Sequence, residues 1–302
     1  MGKSRGQGLF LVWLAVFFWG SASPVVRYLV LQGLDPYLIS FLRIILTLFF
    51  ATLFLCFGKE RPRLATLKAD FRPLLAMAFF GVAAFYWLLC TGLQHTQAGK
   101  GTLINALNPA LIVLIAHFTF KEELGRRRIL GVTAAFAGVI LNVVGAADFN
   151  SQSFSFVSGD LMFVGTAVCW AAYATLNRQY GQHLPYREAL FWIFLLAGLL
   201  YTPAMIPRLG LLADITLRQW LLLLYMGLFP GCVGFYIWNS QVQELGMCSC
   251  GVINSFLPIS AVLISALWLG EVLTGMQLIG AGLVVAGVWL GANKKNDKIA
   301  RL

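Results

Sequence analysis

The chain has 302 residues, 59% of them hydrophobic and only 11% charged, with a mean hydropathy of +0.80. A soluble domain carries about 25% charged residues, so this composition cannot cover a water-facing surface, and the bilayer is the expected solvent. The net charge of +10 does not point to nucleic acid, because the basic residues sit in short loops between apolar runs and form no stripe with exposed aromatics.

A helix needs about 20 apolar residues to cross a bilayer. In chain order, such runs lie at roughly 8–31, 37–58, 73–94, 98–119 and 128–146. After a polar stretch (AADFNSQSFSFVSGD) they resume at roughly 159–178, 187–206, 218–242, 248–268 and 275–292. The first run follows a basic start, as in a signal peptide, but it continues to about Leu31 with no small-residue cleavage site in place, so it is read as a span. The expected fold is an all-α integral membrane protein with ten transmembrane helices.

With the N-terminus in the cytoplasm, 17 of the 22 Lys and Arg fall in cytoplasmic segments. The outer loops hold only Arg208 and Arg218, and Arg27, Arg43 and Lys100 lie within spans. Such a bias predicts both termini inside.

The sequence repeats. Asn105, Pro109 and Glu122 return as Asn254, Pro258 and Glu271 at one offset of 149. Trp19 and Arg27 return as Trp170 and Arg178, and Phe85-Tyr86 as Phe235-Tyr236. Gly131 and Gly138 return as Gly280 and Gly287. The expected organisation is a five-helix repeat over 1–146, a periplasmic linker over 147–158, and a second five-helix repeat over 159–302 ending in a basic cytoplasmic tail. Five spans per copy put the second copy upside down. Inverted repeats can exchange conformations around a site near the midplane, which is alternating access and the mark of a transporter.

The candidate site residues follow from this frame. Asn105 and Asn108 are three apart and share a helix face, while Pro109 denies the Asn105 carbonyl its helical partner. A kinked span with polar groups at mid-depth must face protein or a wet cavity. Asn254 and Pro258 read the same way. Trp19, Tyr86, Trp170, Tyr173, Tyr236 and Trp238 are placed to floor a cavity and hold an amphipathic or cationic solute by π contacts. Arg27, Arg43 and Lys100 all fall in the periplasmic part of the membrane, where charge is costly and faces the bundle. Two readings stand for them: attraction of a substrate carboxylate or phosphate, or snorkelling and structural pairing. Glu122 and Glu271, which follow spans four and nine, read as turn-fixing residues that pair with a cation or cap a helix. The glycines repeat every seven residues and suit close helix packing, within the monomer or in a homodimer.

No cofactor or metal is expected. The six cysteines have no zinc-ligand spacing, and no P-loop or H-E-x-x-H motif appears. His117 is the only histidine deep in a span, so neither an enzyme nor a proton relay is indicated. The expected partners are a small-molecule substrate and the lipid bilayer, with no nucleic acid.

The chain resembles an EamA-type member of the drug/metabolite transporter superfamily. The resemblance rests on FWGSASPVVR, PYLISFLR, the two N-x-x-x-P motifs, and the turns KEE (121–123) and LGE (269–271), and it covers nearly the whole chain. It implies that spans one, three, four, six, eight and nine surround a central cavity, and that the protein sits in a bacterial inner membrane. It also implies export of an amino acid or related metabolite, with efflux of drugs or cationic toxicants, or uptake of a small organic solute, as the alternatives. Lys100 departs from the small apolar residues usual there in relatives.

Overall fold

The computed structural model describes residues 5–57, 62–120, 126–145, 158–181, 184–245, 253–254, 256–271 and 274–292. All regular structure among them is helical. Helix α1 (Arg5–Leu31) leads to α2 (Pro36–Phe57), a short α3 (Leu64–Ala69), and α4, which runs from Phe71 to His95. Then come α5 (Ala98–Asn105), α6 (Asn108–Phe120) and α7 (Arg126–Gly145). The second half has α8 (Ser158–Tyr180), α9 (Tyr186–Met205), α10 (running from Leu217 to Leu245), α11 (Leu257–Leu269) and α12 (Gly275–Ala292). Six of these rods, α1, α2, α4, α8, α9 with its 3₁₀ extension to Asp214, and α10, are long and apolar enough to cross a membrane. Their outer surface is apolar to match, with Phe57 83% and Leu217 76% exposed, as a lipid-facing surface requires.

The helix ends follow from local chemistry. Gly33 stops α1 at φ +84°; its N–H bonds the Val30 carbonyl while that of Leu34 bonds Leu29, a Schellman turn that only a residue tolerant of positive φ makes cheaply. Asp35 then starts α2, its Oδ1 accepting from the N–H groups of Tyr37 (2.8 Å) and Leu38 (3.1 Å). Thr216 and Gln219 form a reciprocal capping box at the start of α10.

Packing joins the two halves of the chain. Helix α1 lies against α10 and α11, α8 against α4, α5 and α6, α2 against α9, and α7 against α12 along much of their length. The last pair comes close: a Cβ on Gly138 would sit 2.5 Å from the Gly280 carbonyl oxygen and 2.8 Å from the Val284 nitrogen. Gly138 therefore serves close packing within the chain. The main cores lie at these junctions, one around Leu29, Leu93 and Phe163 and one around Ile44, Met77 and Phe194.

Candidate functional site

The helical path breaks at two places. Helix α5 ends at Asn105 and α6 begins at Asn108. Between them the N–H groups of Ala106 and Leu107 bond the carbonyls three residues back, Leu103 (3.2 Å) and Ile104 (3.0 Å), a tightened turn at a helix C-terminus. Pro109, in the first turn of α6, lacks the N–H that would carry the helix through; its side chain lies outside those described. The second break has the same form. Phe256 N–H bonds the Ile253 carbonyl at 3.0 Å, and α11 starts at Leu257 with Pro258 in its first turn.

A cavity of about 110 Å³, measured as space open to the centre of a water molecule, lies between these breaks. Asn105, Asn108, Asn254 and Pro258 line it, as do Trp19, Tyr86, Trp170 and Arg43. Thr166 Oγ1 donates to Asn105 Oδ1 at 2.5 Å and fixes that amide. The Oδ1 atoms of Asn108 and Asn254 are buried without a hydrogen-bond partner. The floor is aromatic: Trp19 meets Trp170 edge-on at 5.6 Å and Phe235 at 5.6 Å, and Phe85 lies 5.7 Å from Trp170, the tilted arrangements that ring quadrupoles prefer.

Helices α4 and α10 each contain a π-helical turn, Phe79–Ala83 and Gly227–Val233. Such turns are rare and collect at functional sites. In α10 the Gly234 N–H bonds the carbonyls of Phe229 and Gly231, passing over Pro230. The Pro230 carbonyl instead accepts the Trp19 indole N–H at 2.9 Å, which orients that ring at the cavity wall.

Three aromatic candidates lie away from this cavity. Tyr173 packs on Trp170 (5.2 Å) and faces a smaller pocket with Asn177 and Tyr186. Tyr236 meets Phe54 edge-on (4.5 Å) and Tyr186 at a tilt (5.3 Å), and the Arg187 guanidinium donates to its hydroxyl at 3.3 Å. Trp238 backs Trp19 at 5.3 Å and packs with Val12, Val16 and Ile253.

The three cations that the sequence reading placed within spans have different surroundings. Lys100 Nζ lies 2.6 Å from Asp160 Oδ2 in a buried ion pair, and Thr96 Oγ1 donates to the other carboxylate oxygen at 2.8 Å. Arg27 donates to the Leu93 carbonyl and lies 3.9 Å from Glu271. Glu271 also accepts from the N–H groups of Ala98 and Gly99, each at 3.2 Å, so it caps the start of α5. Gly270, at φ +68°, makes the turn that aims Glu271 there. Its repeat counterpart Glu122 lies outside the described residues. Arg43 is 3% exposed and has no carboxylate within ion-pair distance among the described residues. Its guanidinium lies 3.9 Å over the Tyr86 ring, and its Nη1 reaches Cys90 Sγ at 3.8 Å.

Sequence reasoning passed over Asp160, although that acid falls in the first turn of the span written at 159–178. It also missed Thr166, whose hydroxyl is one polar atom in an apolar helix with nothing in its neighbours to mark it. Among the described residues, no group of three or more His, Cys, Asp and Glu side chains could hold a metal ion.

Comparison with known proteins fits this geometry. The sequence profile of the EamA-like transporter family matches twice, over residues 6–144 and 157–291. A "Probable amino-acid metabolite efflux pump" of Salmonella typhimurium is 27% identical over 95% of this chain and 95% of its own. A "Probable terminal-alkyne amino-acid exporter" of Streptantibioticus cattleyicolor is 29% identical over 92% of this chain and 90% of its own. A solved crystal structure, 18% identical, matches with a TM-score of 0.63 over 95% of this chain and 96% of its own, which supports the fold. With both halves of the chain matched by the profile and the cavity built where they meet, the chain belongs to the EamA-like transporter family and is a membrane transporter, not an enzyme.

Proposed function

We propose that the protein is a secondary active or facilitative transporter that exports a small metabolite, an amino acid or a related compound, by alternating access. In this reading it has ten spans, with α5 and α6 forming the fourth and α11 most of the ninth. The spans form two inverted five-helix repeats in a bacterial inner membrane, with both termini cytoplasmic. The observation that carries the reading is the position of the cavity, between two equivalent helix breaks contributed by opposite halves. Broken helices meeting at a site between inverted repeats are how secondary carriers expose one site to either side in turn.

The packing supports the pairing of halves. Exchanging α1 for α8, α4 for α10, and α5–α6 for α11 carries the α1–α10 contact onto α8–α4 and the α1–α11 contact onto α8–α5 and α8–α6. The contacts of α2 with α9 and of α7 with α12 map onto themselves. The two relatives whose names specify amino-acid export support the substrate class.

The test is metabolite profiling of medium and cell extract with the intact protein overproduced, absent, or carrying Asn105→Ala. Export predicts that one amino acid or close relative rises outside and falls inside only with the intact protein. An unchanged medium across all three strains would count against export and turn attention to uptake.

A further inference from the structure

Among the three cations within spans, two have found their counter-charge inside the protein and one has not. Asp160 neutralises Lys100, and Glu271 lies beside Arg27. Arg43 is as deeply buried as Lys100, at 3% against 6% exposed, yet it lines the cavity with no acidic neighbour. The described cavity lining holds no Asp, Glu or His and no second cation. Arg43 Nε is buried without a hydrogen-bond acceptor, and the one hydrogen bond the guanidinium makes among the described residues is to a thiol sulfur, a weak acceptor. Tyr86 holds the plane from one face, so the group is fixed in orientation while most of its donors remain uncommitted. Guanidinium cannot shed its proton to escape burial, and an unpaired charge in the membrane interior is a functional position by default.

We infer that Arg43 is the substrate-recognition residue of this transporter, taking the carboxylate of an α-amino acid whose side chain is apolar. The inference rests on the export reading above and adds the group recognised and the residue that recognises it. A carboxylate is favoured over a phosphate because one planar guanidinium matches a monoanion through two parallel N–H···O bonds, whereas a phosphomonoester brings a charge of about −1.5 to −2 and a third oxygen to satisfy. The solute also carries donors, since Asn108 Oδ1 and Asn254 Oδ1 are buried acceptors with nothing donating to them; an ammonium supplies these. The Trp19–Trp170 floor takes the side chain. Size agrees: at roughly 10–15 Å³ of such space per water, the cavity's 110 Å³ admits a solute on the order of ten non-hydrogen atoms. Lipophilic cations without an acid group are disfavoured, because no carboxylate in the described lining would receive them and Arg43 would repel them.

The test is equilibrium binding to the purified full-length protein in detergent, independent of transport. The probes are L-leucine and L-phenylalanine, their amides, which keep the ammonium and lose the anion, and the matching acids without the amino group. For the wild type we expect at least tenfold weaker binding of each amide, the scale of one lost charge-assisted hydrogen-bonded contact, and weaker binding of each des-amino acid. In Arg43→Gln, amino acid and amide should bind alike. Equal affinity of acid and amide in the wild type, or no binding of any probe, overturns the inference, and neither comparison depends on the variant folding. Amino-acid efflux from cells together with equal acid and amide binding would leave the export reading standing and remove Arg43 from it. Loss of efflux with the tenfold preference intact would do the reverse.

Discussion

Lys100 and Asp160, sixty residues apart, meet at 2.6 Å between the start of α5 and the start of α8. This pair, in which neither side chain is more than 8% exposed, ties the first half of the chain to the second. A buried ion pair is a weak source of net stability, but removing one member leaves the other as an uncompensated charge, which costs about 3–5 kcal/mol. Lys100→Met and Asp160→Leu should each lower thermal stability in detergent by that order. The double variant should recover most of the loss. A double variant as unstable as the sum of the two singles would mean no coupling between them, so that each side chain acts independently of the other.

Glu271 should behave as a cap contributed from a distance. It satisfies two N–H groups at the start of α5 and lies beside Arg27. Losing an N-terminal cap typically costs about 0.5–2 kcal/mol, so Glu271→Ala should lower the unfolding midpoint measurably. Glu271→Gln, which keeps an acceptor, should fall between the two. If Gln and Ala behave alike, the charge facing the helix end and Arg27 matters more than the hydrogen bonds.

The α7–α12 contact predicts opposite outcomes for two glycines. At Gly138 a Cβ would press on backbone atoms of α12 at 2.5 and 2.8 Å, which no side-chain rotation relieves. Gly138→Ala should therefore destabilise by about 1–3 kcal/mol, as overpacking does. At Gly282 nothing lies within 4 Å of the added methyl. Gly282→Ala should be neutral or raise stability by up to about 1 kcal/mol through helix propensity. Thermal unfolding of both variants in one detergent decides it.

Trp19 is oriented by one bond, from its indole to the Pro230 carbonyl at 2.9 Å. Trp19→Phe keeps most of the ring area and removes the donor. The expected stability loss is only about 0.5–1.5 kcal/mol, but transport in proteoliposomes should fall further than that loss explains, because the ring forms the cavity wall. Unchanged transport would place Trp19 among the packing residues.

Much of the fold was legible in the sequence because its strongest signals are chemical. The two Asn–x–x–x–Pro motifs mark the helix breaks because proline's missing N–H leaves the backbone few alternatives there. Gly270 before Glu271 marks a left-handed helix end for similar reasons. The fate of the three cations was not legible. Their depth could be read from spacing, but the carboxylates that meet Lys100 and Arg27 lie 60 and 244 positions away in sequence, and only packing brings them in. The aromatics fared similarly. Trp19, Tyr86 and Trp170 reach the cavity while Tyr236 and Trp238 do not, because each turns on which helix face meets which neighbour. The π turns had no sequence signal beyond Pro230, and they alter the facing of everything beyond them.

Those turns have a genetic consequence. In a regular helix each residue advances the chain by about 100°, so deleting one swings all that follows to a different face. A π turn holds one residue more than the α-helical turn it replaces, so deleting a residue within Phe79–Ala83 converts it to an ordinary turn and leaves Phe85 and Tyr86 facing as before. The same deletion in the middle of α8 would carry Tyr173 off its side of the helix. In α10 the two effects separate: losing one residue from Gly227–Val233 preserves the facing of Phe235 but returns the bypassed carbonyl to the helix ladder, so Trp19 must share its acceptor with a backbone N–H. Single-residue deletions, uncommon in membrane helices, should therefore be tolerated at these two places, with the one in α10 keeping the shape and weakening the tether.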